Sequence, residues 1–312
     1  MQGSVPVEPF PHWFYENLFT TSGIGFNNMI DFFRLFTHGN IDLNQSQVFG
    51  WLTLSHWRRD YTGSGVDPAG RQALIDWARQ AASAAHIDLS PYSGVVVCMN
   101  VLTDLFGNLG EKAMVCDNNS MTPSLIAQEM LHGYGLDHSR ADGSTADYQD
   151  QWDVMSTANA FMARDPNFRR IGPSLNAANI DSQGWLDPSR VWSAAGNFDE
   201  TIDLRPHYRR DLPGFLVAKV GQFYVEFRVK EGWDAAIPQS AVLVHRFEDN
   251  HSYLMKGTSG QAALTEGNVF QQVDQVILPA LTIVSRVEVL KIDDAARKAT
   301  VHLSYKVSAE PG

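Results

Sequence analysis

Residues 128–138 read Gln-Glu-Met-Leu-His-Gly-Tyr-Gly-Leu-Asp-His, and no other run limits the fold as tightly. Positions i and i+4 of a helix share a face, so Gln128 and His132 can reach one metal ion together. Glu129, one position on, points to the side where a carboxylate can take a proton from an activated water. Gly135 lets the backbone leave the helix through a left-handed turn that a side chain would resist. His138 then returns from outside the helix as a third ligand. The expected metal ligands are Gln128, His132 and His138, with Glu129 as the catalytic base. A glutamine amide oxygen is a neutral, weak donor compared with imidazole, so metal affinity should be lower or metal preference changed. Chance would produce Glu, His, Gly and His at these offsets in roughly one window in 10⁶. That weighs against the plainer alternative, a polar helix face carrying two core histidines.

Asp150-Gln151-Trp152-Asp153-Val154-Met155-Ser156 follows with a methionine in a tight turn. The first run is one residue from H-E-x-x-H-x-x-G-x-x-H, the zinc signature of a peptidase clan that also carries a methionine turn. The chain thus resembles the metzincin peptidases, and within them the gametolysin-like and immune-inhibitor-A-like secreted enzymes. Some gametolysin relatives also carry Gln at the first ligand position. The resemblance implies an α+β fold: a metzincin-like catalytic domain with a mixed twisted sheet and long helices, then an antiparallel β-sandwich. It implies Met155 beneath the metal, Zn2+ or another divalent ion such as Cu2+ as cofactor, a polypeptide substrate and secretion to the extracellular space. Metzincins bind peptide by strand addition along an edge strand, and Ala113, Met114 and Val115 are the candidates for that role.

The chain of 312 residues is long enough for two domains, placed at 1–192 and 193–312. A net charge of −11, with no basic cluster, argues against nucleic acid as partner. No window is apolar enough to span a membrane. The start, Met1-Gln2-Gly3-Ser4, has neither the basic nor the apolar region of a signal peptide. With secretion implied, the signal is expected to be absent from this chain. The two cysteines, Cys98 and Cys116, are read equally well as a disulfide or as buried thiols. Sequons at Asn44, Asn118 and Asn250 would matter in a eukaryotic secretory route.

Along the chain, an aromatic and proline-rich opening (Val5 to Thr21) precedes a helix over Gly25–Thr37. That helix is read from the spacing of Phe26, Met29, Ile30, Phe33 and Phe36. Two β-like runs, Ile41–Leu43 and Val48–Leu54, look like the first helix-to-strand passage of the gametolysin-like family. Asp67-Pro68 caps and starts a helix running to His86, and Gly94–Val101 is a continuous apolar run expected as a buried strand. A strand near Lys112–Cys116 precedes the motif helix, which Thr122 and Pro123 open. The acidic loop holding Asp142, Asp147 and Asp150 is expected to be solvated, with calcium binding the alternative although the spacing does not fit a dedicated calcium loop, and Ser174–Gly184 is a helix with a serine cap. From Glu200 onward short alternating segments predict strands, among them Phe223–Val229, Ala241–Phe247, Val276–Ser285, Arg286–Ile292 and Ala299–Val307. Tyr224–Arg228 and Val242–Arg246 resemble the β-domain of the same peptidases, and Glu226, Arg228, His245 and Arg246 are assigned structural roles as ion-pair or hydrogen-bonding groups.

The function expected from these features is metal-dependent endopeptidase activity, with a metal-activated water and Glu129 as general base. The alternative, kept open by Gln128, is a catalytically impaired pseudopeptidase acting as a protein- or glycan-binding module.

Overall fold

The computed structural model describes residues 8–63, 67–276 and 280–309. The described residues form a mixed α+β protein with five α-helices and several open sheets. In chain order the first elements are α1 (His12–Phe19), α2 (Met29–Phe36), α3 (Pro68–Ala84), β1 (Val95–Met99), β2 (Phe106–Gly107), β3 (Ala113–Asp117) and α4 (Pro123–His132). Then come β4 (Arg140–Ala141), β5 (Ala163–Asp165), β6 (Arg169–Ile171), α5 (Ala177–Ser182), β7 (Val191–Trp192) and β8 (Phe198–Leu204). The remainder is β9 (Val217–Val220), β10 (Phe223–Arg228), β11 (Ala241–Glu248), β12 (His251–Leu254), β13 (Val269–Val276), β14 (Leu281–Asp293) and β15 (Lys298–Ala309). The chain forms two compact units that do not follow a single cut in sequence. One comprises Met1–Phe32, Asp42–Asp137 and Arg164–Ile171, the other Phe33–Ile41, His138–Ala163 and Gly172–Gly312.

The first unit holds a three-stranded sheet in the order β1-β3-β2, with β1 and β3 parallel and β2 antiparallel to β3. Asp67 caps α3 by accepting from the Ala69 amide, with Pro68 at the first helical position. Leu74 and Ile75 of α3 pack with Tyr61, Phe106, Ala113 and Val115, and Val97 and Met99 close on the same cluster. Because side chains alternate along a strand, Cys98 and Cys116 belong to the opposite sheet face. Ala113, Met114 and Val115 do not form an edge. They lie on the central strand, whose backbone pairs with β1 on one side and, at Met114 and Val115, with β2 on the other. A strand paired on both sides has no open row of amides and carbonyls for an added peptide. The edge positions fall to β1 and β2.

Two further expectations change here. Ile41–Leu43 and Val48–Leu54 enter no strand. Apolar residues at 48, 49, 51, 52 and 54 follow no two-residue period, so no register can bury one face. The run Gly94–Val101 gives β1, which is half-buried rather than fully buried. Its outer edge borders a cavity of about 1050 Å³.

The second unit contains two sheets. One is four-stranded and antiparallel throughout, in the order β13-β14-β15-β8. The other is six-stranded, β4-β12-β11-β10-β9-β7, antiparallel at its centre but parallel at both edges. Its edge strands come from residues 140–141 and 191–192, ahead of the strand-rich region that the sequence marks. Phe223 of β10 and Phe270 of β13 meet with ring centroids 4.9 Å apart. Arg286–Ile292 is part of the longer β14 rather than a strand of its own. The expected strand Val276–Ser285 includes residues 277–279, which lie outside the described residues. The cap of α5 is Asn176, which accepts from the Asn179 amide, because Ser174 is engaged by Asp234 through its amide and its hydroxyl.

Candidate functional site

The motif helix α4 starts where Thr122 Oγ1 accepts from the Leu125 amide at 3.4 Å and Pro123 takes the first position. It ends in a Schellman arrangement: the Leu136 amide reaches the Leu131 carbonyl, and the Gly135 amide the His132 carbonyl. Gly135 has φ +91°, the left-handed conformation read for it from sequence. The helix also sits tightly under β2. A Cβ on Gly107 would lie 2.0 Å from the Glu129 carbonyl oxygen, so this approach is open to glycine alone.

Gln128, Glu129 and His132 are all buried on this helix, and burial obliges each polar group to find partners. Gln128 Nε2 donates to Glu129 Oε1 at 3.0 Å. His132 Nδ1 lies 2.7 Å from the Leu136 carbonyl oxygen. A carbonyl only accepts, so the proton belongs on Nδ1 and the lone pair on Nε2, the form in which a histidine ligates a metal. The turn at Gly135 therefore sets the tautomer of His132 as well as ending the helix. Burial raises the pKa of Glu129, against the opposing pull of His132, Gln128 and the Gly107 amide. A carboxyl so placed is poised to hold or exchange a proton nearer neutral pH than an exposed glutamate.

Glu129, Met130 and Tyr134 line the cavity of about 1050 Å³, together with Phe49, Trp51, Trp77 and Val97. The base expected from sequence thus borders a chamber with aromatic and aliphatic walls in its own unit.

His138 belongs to the second unit, where Asp147 of the acidic loop and the neighbouring Tyr148 hold it. Its Nδ1 is 3.4 Å from Asp147 Oδ2, and Tyr148 Oη lies 2.8 Å from its Nε2. Arg140 Nε donates to the other oxygen of Asp147 at 2.9 Å. Burial works against the Asp147 carboxylate, but Arg140 and His138 hold its pKa below the usual value. Tyr148 adopts φ +62°, a conformation uncommon for a bulky residue. No fixed spacing links residue 138 to 147 or 148, so sequence does not record that these two side chains contact His138. Met155 sits fully buried in a single 3-10 turn, Val154–Ser156, capped by Asp153 through the Met155 amide. The Ser139 amide reaches the Met155 carbonyl at 3.3 Å, which ties the residue after His138 to the methionine turn.

The acidic loop is only partly solvated. Asp150 is fully buried, with its Oδ2 2.9 Å from His245 Nε2. Glu226, Arg228 and His245 are wholly buried, as suits structural ion-pair groups. Arg228 bonds Glu226 at 2.8 Å, Asp234 at 2.9 and 3.0 Å and the Trp152 carbonyl at 2.6 Å. Arg246 is more exposed, pairs with Glu248 and stacks over Tyr253.

The donors on α4 suit a divalent ion of moderate affinity: one amide oxygen and one imidazole a turn apart, with the imidazole tautomer set. Among the described residues no group of three or more His, Cys, Asp or Glu side chains is placed to hold a metal ion. Nor is any helix among them long and apolar enough to cross a membrane. Comparison of the chain with protein-family models, curated proteins and solved structures finds no match.

Proposed function

We propose that the protein is a metal-dependent endopeptidase of metzincin type, with Glu129 as general base, acting on polypeptides in an extracellular setting. One observation carries the reading. A buried glutamate of raised pKa lines a large apolar cavity and shares a helical turn with a histidine whose tautomer suits a metal. Gln128 and His132 are the helix ligands in this proposal, and the sequence motif adds His138 as the third. Zn2+, or another divalent ion such as Cu2+, supplies a Lewis acid for the scissile carbonyl and for water when bound. Glu129 accepts the proton of the attacking water and returns it to the leaving amine. The apolar cavity walls receive side chains of the substrate and exclude bulk water from the carboxyl.

The pseudopeptidase reading draws on a different observation, the Gln128 amide that engages Glu129 directly. The experiment that separates the two is digestion of a denatured protein substrate with and without a chelator, with zinc or copper added back. Chelator-sensitive cleavage that disappears in Glu129→Ala is the expected result. Absence of cleavage by the metal-loaded chain, or equal cleavage by Glu129→Ala, rejects the peptidase.

A further inference from the structure

Cys98 and Cys116 face each other at the same register position of the parallel β1–β3 pair, with their sulphurs 3.7 Å apart. The Met121 sulphur lies 3.9 Å from that of Cys116. Three sulphurs therefore meet within the first unit, on the sheet face turned away from the α3 cluster.

The strand geometry disfavours a disulfide here. Neighbouring strands are about 4.7–4.9 Å apart. Side chains directly opposite in a parallel pair leave the backbone in nearly the same direction, so their Cβ atoms keep roughly that spacing. A disulfide needs about 3.5–4.5 Å between Cβ atoms. An ion between the sulphurs meets no such obstacle. Two sulphurs bonded to one first-row ion at about 2.3 Å lie roughly 3.7–4.0 Å apart at tetrahedral to trigonal angles. Both sulphur separations fall in that interval.

The donor set selects among ions. Two thiolates and a thioether are soft ligands, and a thioether favours copper(I) over harder divalent ions. Cys116 and Met121 are fully buried, while Cys98 is half-buried and lines the large cavity, which gives an ion a way in.

We propose that Cys98, Cys116 and Met121 form a binding site for copper(I), distinct from the donors on α4. Binding replaces two S–H bonds by two S–Cu bonds and releases two protons. Copper stays in the +1 state, so no oxidant or reductant is consumed.

The test is an anaerobic titration of the full chain with copper(I) alone, against a chromophoric competitor, with alkylation of Cys98 followed in parallel. The expected result is one equivalent bound, a sulphur-to-copper charge-transfer band, and alkylation of Cys98 slowed at least about tenfold. Met121→Leu, which keeps the side-chain volume, should weaken copper(I) binding by roughly tenfold or more, and Cys98→Ser should remove the band. Alkylation of the unaltered chain needs no variant, so a misfolded substitution does not obscure the outcome. Unchanged alkylation at saturating copper(I), full binding by Cys98→Ser, or zinc bound more tightly than copper(I) with no effect of Met121→Leu would each overturn the assignment. So would an oxidised chain that closes a Cys98–Cys116 disulfide while the reduced chain binds no copper(I).

Discussion

Gln128 offers a metal an amide oxygen where imidazole would bind more strongly. Gln128→His should therefore raise zinc affinity by more than the ~10–100-fold that outer-shell changes bring, as measured by competition with a chromophoric chelator. Unchanged affinity would show that residue 128 does not touch the metal. Asp153 makes a second prediction at this scale. Burial first, then the neighbouring Asp150 charge, push its pKa up to about 7 from 3.8. Between those values the folded chain holds a proton that the unfolded chain has released. The resulting stability is fully present below about pH 4 and is lost as pH rises through 7. Asp153→Asn places an amide group among the Met155, Asn176 and Ser139 donors, so it destabilises the protein overall. The penalty relative to the unaltered chain should shrink by a few kcal/mol from pH 4 to 7, measured by denaturant unfolding. His38 and His207, which burial holds near 4, act with the opposite sign in both proteins and cancel in the difference. A penalty independent of pH would contradict the assignment.

At the scale of elements, the ends of α4 can be tested directly. Gly135→Ala puts a Cβ at φ +91° and should cost about 1–2 kcal/mol, read from unfolding midpoints. Gly107→Ala forces β2 away from the Glu129 carbonyl and should cost about 1–3 kcal/mol. No loss of stability in Gly107→Ala would mean that β2 does not lie against the motif helix. Both helix boundaries were legible in the sequence, because Thr122-Pro123 and Gly135 act through local backbone chemistry. The same holds for the start of α3 at Asp67-Pro68 and for β10, β11 and β15, whose alternation shows within a few residues. Strand order was not legible. Whether Ala113–Val115 is central or at an edge depends on where Phe106 and Gly107 pair, and no local pattern records that. Val48–Leu54 is apolar without alternation, so hydrophobicity alone suggested a strand that no partner completes. The grip of Asp147 and Tyr148 on His138, and of Asp150 on His245, joins residues 9 to 95 positions apart. Only the folded chain brings those groups together.

For the molecule as a whole, the second unit carries a wholly buried charge network around Arg228, paired with Glu226 and Asp234. Burial alone would raise the pKa of Glu226, but Arg228, then His207 and His245, hold it down to about 2. Removing Arg228 leaves Glu226 and Asp234 buried without their shared cation. Arg228→Met should therefore destabilise by about 3–5 kcal/mol, and a loss below ~1 kcal/mol would show that the network adds little to stability. The functional claim rests on Glu129 in the other unit. Its most direct test is kcat/KM for cleavage of a denatured protein by the unaltered chain and by Glu129→Gln, at matched metal content. The account predicts a fall of roughly 10²–10⁴-fold in the variant, with metal retained and with residual cleavage abolished by chelator. Equal rates for the two proteins, or cleavage that survives removal of the metal, would contradict it.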